Sequence, residues 1–447
     1  MLNLMFDFKK TTMITYPEDI DRRSTKEIIA YQEEKLKELL TYVNKNSTFY
    51  SDLFKKNNIN INDIKTLTDL QKLPFTTKDD LYLRNDDFLC VSRNKIVDYI
   101  TTSGTLGDPV TFALTDSDLE RLAYNESISF KCSDGSADDI YQLMVTLDRR
   151  FMAGLAYFLG IKKMGAGMVR VGNGMIELQW DTILRIKPNA LVAVPSFILK
   201  LIEYAEANGI DYKNSSIKKA ICIGEALRNP DFSLNTLGQR IRDKWDIKLY
   251  STYASTEMGA AFADCGQENG GHHHPELLIA EFVDENNNPV YEGQAGELVI
   301  TTLGVEGMPL VRFKTGDVVQ HFNGKCKCGR NTMRLGPVIG RKNEMIKYKG
   351  TTLYPPALYD ILNDMEFVEN YIIEVSTNQI GTDDILIRIA TNGYNRPADF
   401  EKLIKDHFRA KLRVAPTISF ETNEQINKIK FNEIKRKPIV FIDKRKN

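Results

Sequence analysis

The sequence predicts an α/β protein. A large N-terminal α/β region with parallel-type sheets carries a β-rich subdomain, and a small, mobile α+β domain follows at the C-terminus. Three observations lead there. The first ~80 residues read as helical, and from there to about residue 240 short apolar runs alternate with segments of helical periodicity, the pattern of a parallel sheet covered by helices. After residue 275 the texture changes to closely spaced strands, and beyond residues 340–350 (GRKNEMIKYKG) helix and strand alternate again. At 447 residues the chain is also too long for one ordinary core. The expected boundaries are 1–340 for the large part, with its β-rich subdomain at about 260–340, and 341–447 for the small one.

The elements follow in order. Glu27 to Val43, EIIAYQEEKLKELLTYV, places Ile28, Ile29, Leu36, Leu39, Leu40 and Val43 at helical spacing. LPFTTKDDL (73–81) reads as a turn closed by a helix start, with Thr77 as cap and Asp79 and Asp80 in the first turn. YQLMVTL, ALVAVPS and KKAICIG are short strands, and SFILKLIEYAEANG and LNTLGQRIRDKW are helices of the same alternation. LLIAEFVD, the turn ENNNPV, GELVITTL and PLVRFKTGDVVQHF supply the β-rich stretch. YPPALYDILNDM, YIIEVST, DILIRIAT and PADFEKLIKDHFRAKL then make the small domain. No internal repeat or low-complexity segment interrupts the series.

Composition bounds the function. Hydrophobic residues make up 42% and charged residues 27%, as in a globular protein. The 59 basic residues nearly balance 60 acidic ones, so there is no surplus to neutralise a phosphate backbone, and nucleic acid is not an expected partner. No apolar run of spanning length is present, so no membrane partner is expected. The N-terminus begins apolar, but Asp7 interrupts it and no small-residue cleavage site follows; no signal peptide is read and the cytoplasm is the expected compartment. Of the six cysteines, Cys90, Cys132 and Cys222 stand among apolar neighbours and are expected to be buried, reduced thiols.

Chemistry concentrates in a few stretches. Thr101-Thr-Ser-Gly-Thr-Leu-Gly-Asp-Pro109 offers hydroxyls and approachable backbone amides suited to phosphate oxygens, without the lysine of a kinase-type P-loop. Downstream stand Ile223-Gly-Glu-Ala-Leu227, Thr252-Tyr-Ala-Ser-Thr-Glu-Met258, Arg312-Phe-Lys-Thr-Gly-Asp317 and Gly340-Arg-Lys-Asn-Glu-Met-Ile-Lys347. With these motifs in this order, the chain resembles the adenylate-forming superfamily of acyl-CoA synthetases and adenylation domains, most of all its phenylacetate–CoA ligase branch. LPFTTKDDL, GELVITTL and CKCGR add to the resemblance, which covers essentially the whole chain.

The resemblance implies a nucleotide site. Thr102, Ser103, Gly104, Thr105 and Gly107 would hold the leaving pyrophosphate of ATP. Glu257 would bind Mg²⁺, a hard cation that needs only one or two carboxylates. Thr256 would donate its hydroxyl to the α-phosphate, and Tyr253 would stack on adenine against the backbone of Gly224 and Glu225. Asp317 has two acceptor oxygens for the two ribose hydroxyls. Arg341 would add a charged contact, and Gly350 would line the tunnel for the pantetheine of coenzyme A. The family's catalytic lysine falls in the tail INKIKFNEIKRKPIVFIDKRKN, where Lys437 aligns best and Lys435 is the alternative. Three positions depart from the family: Asp108 where lysine is usual, Ala254 for a common glycine beside the acyl site, and Asn343 where an aspartate commonly marks the hinge. The acyl pocket is expected among Tyr124–Phe130, Ala153–Phe158 and the backbone near Ala254.

Cys265-Gly-Gln-Glu-Asn-Gly-Gly-His272 and Cys326-Lys-Cys328 together supply three thiolates and an imidazole, a closed structural zinc set. Three consecutive histidines, His272 to His274, leave the choice of ligand open, with spacing in related ligases favouring His272. A redox pair is disfavoured, since cysteines one residue apart form strained disulfides. The expected activity is ATP-dependent activation of a small carboxylic acid, aryl or arylacetic, with transfer to coenzyme A. Loading of a carrier protein, or a catalytically inactive nucleotide-binding homologue, are the alternatives. A homodimer is open, as related ligases are often dimers.

Overall fold

The computed structural model describes residues 16–102, 110–348, 351–378, 383–391, 399–431 and 438–445. Near its start, Ser24 and Glu27 form a reciprocal capping box that opens the helix Thr25–Asn46. Its buried stripe is Ile28, Leu36, Leu39, Leu40 and Val43. Ile29, assigned to that stripe from spacing, is 38% exposed, because a residue adjacent to Ile28 points about 100° away from it. A second box, between Thr77 and Asp80, starts the helix Lys78–Leu83.

Five parallel strands lie in the spatial order Gly167–Arg170, Ile140–Leu143, Ala190–Ala193, Lys219–Cys222 and Lys248–Ser255. The helices Met152–Met164, Ile176–Ile186, Pro195–Ala207 and Thr236–Lys244 alternate with them along the chain. Ala190–Ala193 and Lys219–Cys222 are buried throughout, which is why they read as continuous apolar runs. The strand Lys248–Ser255 is where the sheet changes character. Its first half, Lys248–Ser251, pairs parallel with Lys219–Cys222, and its second half, Thr252–Ser255, pairs antiparallel with Ala260–Ala263. The sheet then continues through Gly271–His272, Arg334–Leu335, Phe313–Phe322, Ala295–Thr302 and Leu278–Val283. The β-rich stretch is thus a continuation of the parallel sheet, twelve strands in all among the described residues.

The helix Asp116–Cys132 fixes this junction from behind. Buried Arg121 donates to three backbone carbonyls: Leu303 at 2.7 Å, Gly259 at 2.6 Å and Leu277 at 2.7 Å. One turn earlier, the Asp118 carboxylate accepts from the backbone of Glu306 at 2.7 Å and of Gly307 at 2.9 Å. Replacing Arg121 by leucine would leave three buried carbonyls without donors, each costing about 1–3 kcal/mol. The expected loss of stability is about 3 kcal/mol or more, read as a lowered urea midpoint at unchanged slope. A wild-type midpoint would show that water replaces the guanidinium.

The C-terminal sheet has four strands in the order Thr417–Phe420, Asp383–Thr391, Val368–Thr377 and Phe441–Asp443, the middle pair antiparallel and the outer pairings parallel. It has its own core, including Leu358, Ile373, Ile387 and Phe408. Contacts across to the larger part include polar ones: Thr236 N donates to Asp360 Oδ1 at 3.2 Å, and Lys342 Nζ meets Glu297 Oε2 at 3.0 Å. At the junction, Arg445 donates to the carbonyl of Met345 at 2.6 Å and to Asp383 at 2.9 Å, tying the last described strand to the first residues of this domain. No described helix is long and apolar enough to cross a membrane.

Candidate active site

Where the strand Lys248–Ser255 leaves its parallel neighbour for an antiparallel one, the two directions diverge. In such sheets a ligand usually sits in the crevice beyond the C-terminal ends of the parallel strands. Tyr253 lies on the diverging half, and its hydroxyl donates to Asp317 Oδ2 at 2.6 Å. Asp317 stands opposite Arg341 on adjoining antiparallel strands, with Arg341 Nε 3.3 Å from Oδ1. The Asp317 amide donates to Thr315 Oγ1 at 3.1 Å, fixing the turn of the strand. One carboxylate is therefore held between a phenol and a guanidinium.

Gly224 follows the neighbouring strand Lys219–Cys222 with φ of 75°, a conformation that favours glycine. Next to it, the Glu225 carboxylate accepts from Ser196 N at 2.9 Å and Ser196 Oγ at 2.8 Å, at the start of the helix Pro195–Ala207. That helix start leaves amides unpaired within the helix, and Glu225 satisfies one of them. Gly224, Glu225, Tyr253, Thr256, Glu257, Asp317 and Arg341 thus gather at one end of the sheet.

Burial pushes the Glu257 carboxyl above its ordinary value; Lys78 opposes this and Asp317 adds to it. A desolvated carboxylate near a second one is short of positive charge, the condition a hard divalent cation relieves. Burial, reinforced by Asp317, pushes the Tyr253 phenol well up, so it remains the proton donor of its contact. Thr256 and Glu257 border a recess whose other walls include Phe112, Leu122, Met152 and Met308. Of the pocket residues expected from sequence, Tyr124 turns its hydroxyl to Glu276 Oε1 at 3.0 Å, while Ala254 is exposed.

Thr102 sits at the base of the Ser/Thr/Gly loop. Its amide donates to Val110 O at 2.9 Å and its Oγ1 accepts from Val110 N at 3.0 Å, so it closes the neck of that loop. Ser103, Gly104, Thr105, Gly107 and Asp108 lie outside the described residues, as do Gly350, Lys435 and Lys437.

The ligand atoms of Cys265, His272, Cys326 and Cys328 all lie within 4.8 Å of one another. Cys265 Sγ and Cys326 Sγ are 3.7 Å apart, and Cys328 Sγ and His272 Nε2 are 3.4 Å apart. A tetrahedron with zinc–ligand bonds of about 2.0–2.3 Å has edges of roughly 3.5–3.8 Å, so the donor set fits. His272 Nδ1 lies 2.9 Å from Thr332 Oγ1, the outer contact that orients a ligating ring. The other two histidines are engaged elsewhere: His273 Nε2 lies 2.6 Å from Leu278 O, and His274 Nε2 lies 3.0 Å from Ser129 Oγ. Cys90, Cys132 and Cys222 are buried free thiols. Sequence reasoning did not single out Lys78 or Arg228, although each adjoins or lies within a motif it used.

A mixed sheet with a polar crevice at its switch, followed by a small α+β domain, is the architecture of adenylate-forming enzymes. It is shared with the solved 2-hydroxyisobutyryl-CoA ligase, at a TM-score of 0.82 and 21% identity for its postadenylation state with 2-HIB-AMP, covering 97% of this chain and 94% of that one. Its thioesterification state with 2-HIB-AMP and CoA gives 0.69 over the same coverage. The family model described as AMP-binding enzyme matches residues 12–307, and the chain belongs to that family. Among curated proteins, the phenylacetate–CoA ligase of Thermus thermophilus is 28% identical over 369 residues, 80% of this chain and 81% of the relative. That of Aromatoleum evansii is 28% identical over 372 residues, 80% of each. Protein CapK of Staphylococcus aureus is 23% identical over 424 residues, 93% of this chain and 89% of CapK.

Proposed function

We propose that this chain is an AMP-forming acid–CoA ligase that activates a small carboxylic acid with ATP and passes the acyl group to coenzyme A. The observation that carries the reading is the Tyr253–Asp317–Arg341 arrangement at the sheet switch, with Glu257 beside it. In the first half-reaction the acid's carboxylate oxygen attacks the α-phosphorus, a new P–O bond forms, and the bond to pyrophosphate breaks. In the second, the CoA thiol loses its proton as sulfur attacks the acyl carbonyl, and AMP leaves. Both reactants of the first step are anions, so positioning and charge neutralisation carry the catalysis.

Asp317 would receive the ribose hydroxyls, with Arg341 setting the carboxylate's orientation and Tyr253 giving its ring to adenine beside Gly224 and Glu225. Thr256 would direct its hydroxyl at the α-phosphate. Glu257 would hold Mg²⁺, which when bound offsets the charge of the phosphates. Cys265, His272, Cys326 and Cys328 would hold a structural zinc, with no position left open for catalysis. The small domain, beginning near residue 341, would rotate about the Asn343 junction between half-reactions. Phe112, Leu122, Met152 and Met308 line the recess together with Asp118 and Arg121; the aryl or arylacetic class follows from the family resemblance.

ATP–pyrophosphate exchange across aryl, arylacetic and fatty acids tests the reading, followed by product mass with CoA or with an acyl-carrier protein. Absence of exchange with every acid would leave a nucleotide-binding protein without this chemistry. From the family resemblance, Lys437→Ala is expected to slow adenylation by a factor of roughly hundreds or more, the order of losing one oriented charge donor. Exchange at the wild-type rate in that variant would move the role to Lys435.

A further inference from the structure

We propose that Arg228 is a positioning residue through which the metal-bearing turn holds the nucleotide loop Gly224–Leu227 in place. The inference rests on the reading above, in which that loop meets adenine and the cysteine–histidine cluster binds zinc. Arg228 follows the loop directly, and its side chain is only 3% exposed. Its Nε lies 3.4 Å from Asp264 Oδ2, and its Nη2 lies 3.4 Å from Glu268 Oε1. Its Nη1 donates to the carbonyl of Phe232 at 3.0 Å. Both carboxylates belong to the metal-bearing turn: Asp264, 1% exposed, immediately precedes Cys265, and Glu268 lies between Cys265 and His272.

The loop is anchored on its other side by backbone. Arg228 forms a bridge with Leu234, Asn235 N donates to Leu227 O at 3.1 Å, and Asn235 Nδ2 donates to Ala226 O at 2.8 Å. The guanidinium thus joins two segments that are each fixed locally, one by the Leu234–Asn235 backbone and one by the metal ligands. A buried ion pair gives a fold little that well-packed apolar residues would not, but it tolerates few alternative arrangements. Here the contact is long: Arg228 Nε and Nη2 and Asp264 Oδ2 have no aligned hydrogen-bond partner. A small outward movement of the turn would strand these charges, so the loop and the turn are restrained together.

The consequence is a coupling between metal and nucleotide. Stripping zinc from the wild-type protein with a chelator is expected to weaken binding of a fluorescent ATP analogue about tenfold, within the usual range of coupling between sites. The test variant combines Arg228→Met with Asp264→Leu. Removing both charges leaves neither partner buried alone, and Glu268 keeps Arg242 at 2.7 Å. In this variant the thermal midpoint and zinc content are expected to stay near wild type. Analogue binding should be about tenfold weaker with zinc present, and chelation should weaken it no further. Arg228→Lys, which keeps charge without the fork, should fall between the two. A double variant with wild-type affinity, or one in which chelation still costs tenfold, would overturn the proposal, and so would a wild-type affinity indifferent to zinc. Failure of the underlying reading looks different: wild-type protein that holds no zinc or binds no nucleotide, which would remove this inference with it.

Discussion

Glu257→Gln is expected to lower the rate of acyl-adenylate formation about a thousandfold while leaving the fold as stable as before. The two effects separate for a physical reason. Burial already disfavours the charge on Glu257, and the neighbouring Asp317 adds to that penalty. Neutral glutamine of the same shape therefore relieves a cost in the nucleotide-free protein. Once ATP is bound the balance reverses, because the reaction brings a carboxylate against a polyanion. A carboxylate that anchors a divalent cation then contributes about 4 kcal/mol, which is three powers of ten in rate. Pyrophosphate exchange measured against Mg²⁺ concentration, beside a thermal melt, checks both halves. The variant should need far more Mg²⁺ and still run slowly, with an unchanged or slightly raised midpoint. Exchange within tenfold of wild type would place the cation on other residues.

The parallel strands were legible in the sequence because burial on both faces leaves no polar alternation, as in Ala190–Ala193 and Lys219–Cys222. Their union with the later strands was not. KLYSTYAS, the strand Lys248–Ser255, carries no local mark of pairing parallel in one half and antiparallel in the other. That property belongs to its neighbours. The helix Asp116–Cys132 hides its role in another way. Asp118, Arg121, Asn125 and Glu126 look like a solvated face, yet all four are buried. Arg121 finds its partners in the carbonyls of Gly259, Leu277 and Leu303, more than a hundred positions along the chain. No periodicity argument can see such partners.

The residues of the proposed nucleotide site were recognisable as an ordered set of motifs, whereas their mutual contacts were not. Tyr253 was assigned to adenine by its ring, and the structure adds that its hydroxyl holds Asp317. One residue thereby links the base-facing and ribose-facing parts of the proposed site. The three histidines show the same limit. Spacing favoured His272, but only the engagement of His273 with Leu278 and of His274 with Ser129 separates them physically.

Cys326→Ser is expected to remove the zinc and, with it, a large share of the stability of the sheet around the crevice. A ligand bound by the folded state alone stabilises it by about 4 kcal/mol when present at a thousandfold over its dissociation constant. The site also reaches beyond its own loop. Arg330 Nε meets Asp21 at 2.6 Å, Asn331 N donates to Asp21 O at 2.7 Å, and Asn331 Nδ2 donates to the carbonyls of Arg22 and Arg23 at 3.1 and 3.0 Å. The loop that carries Cys326 and Cys328 is therefore also the dock for the segment leading into the first long helix. Without metal, that loop keeps these contacts and its own turn, such as Cys326 N to Arg330 O at 2.9 Å, but loses the tie of Cys326 and Cys328 to the turn that bears Cys265 and His272. Both the dock and the turn bearing Asp264 should loosen. Elemental analysis should find about one zinc per chain in wild type and none in Cys326→Ser, with a thermal midpoint several degrees lower. Cys132→Ser is the matched control: its thiol packs in the same cluster but donates to Ala263 O at 3.3 Å, so zinc should be retained. A Cys326→Ser protein with a full equivalent of zinc and a wild-type midpoint would show that the four residues are packed together without a metal.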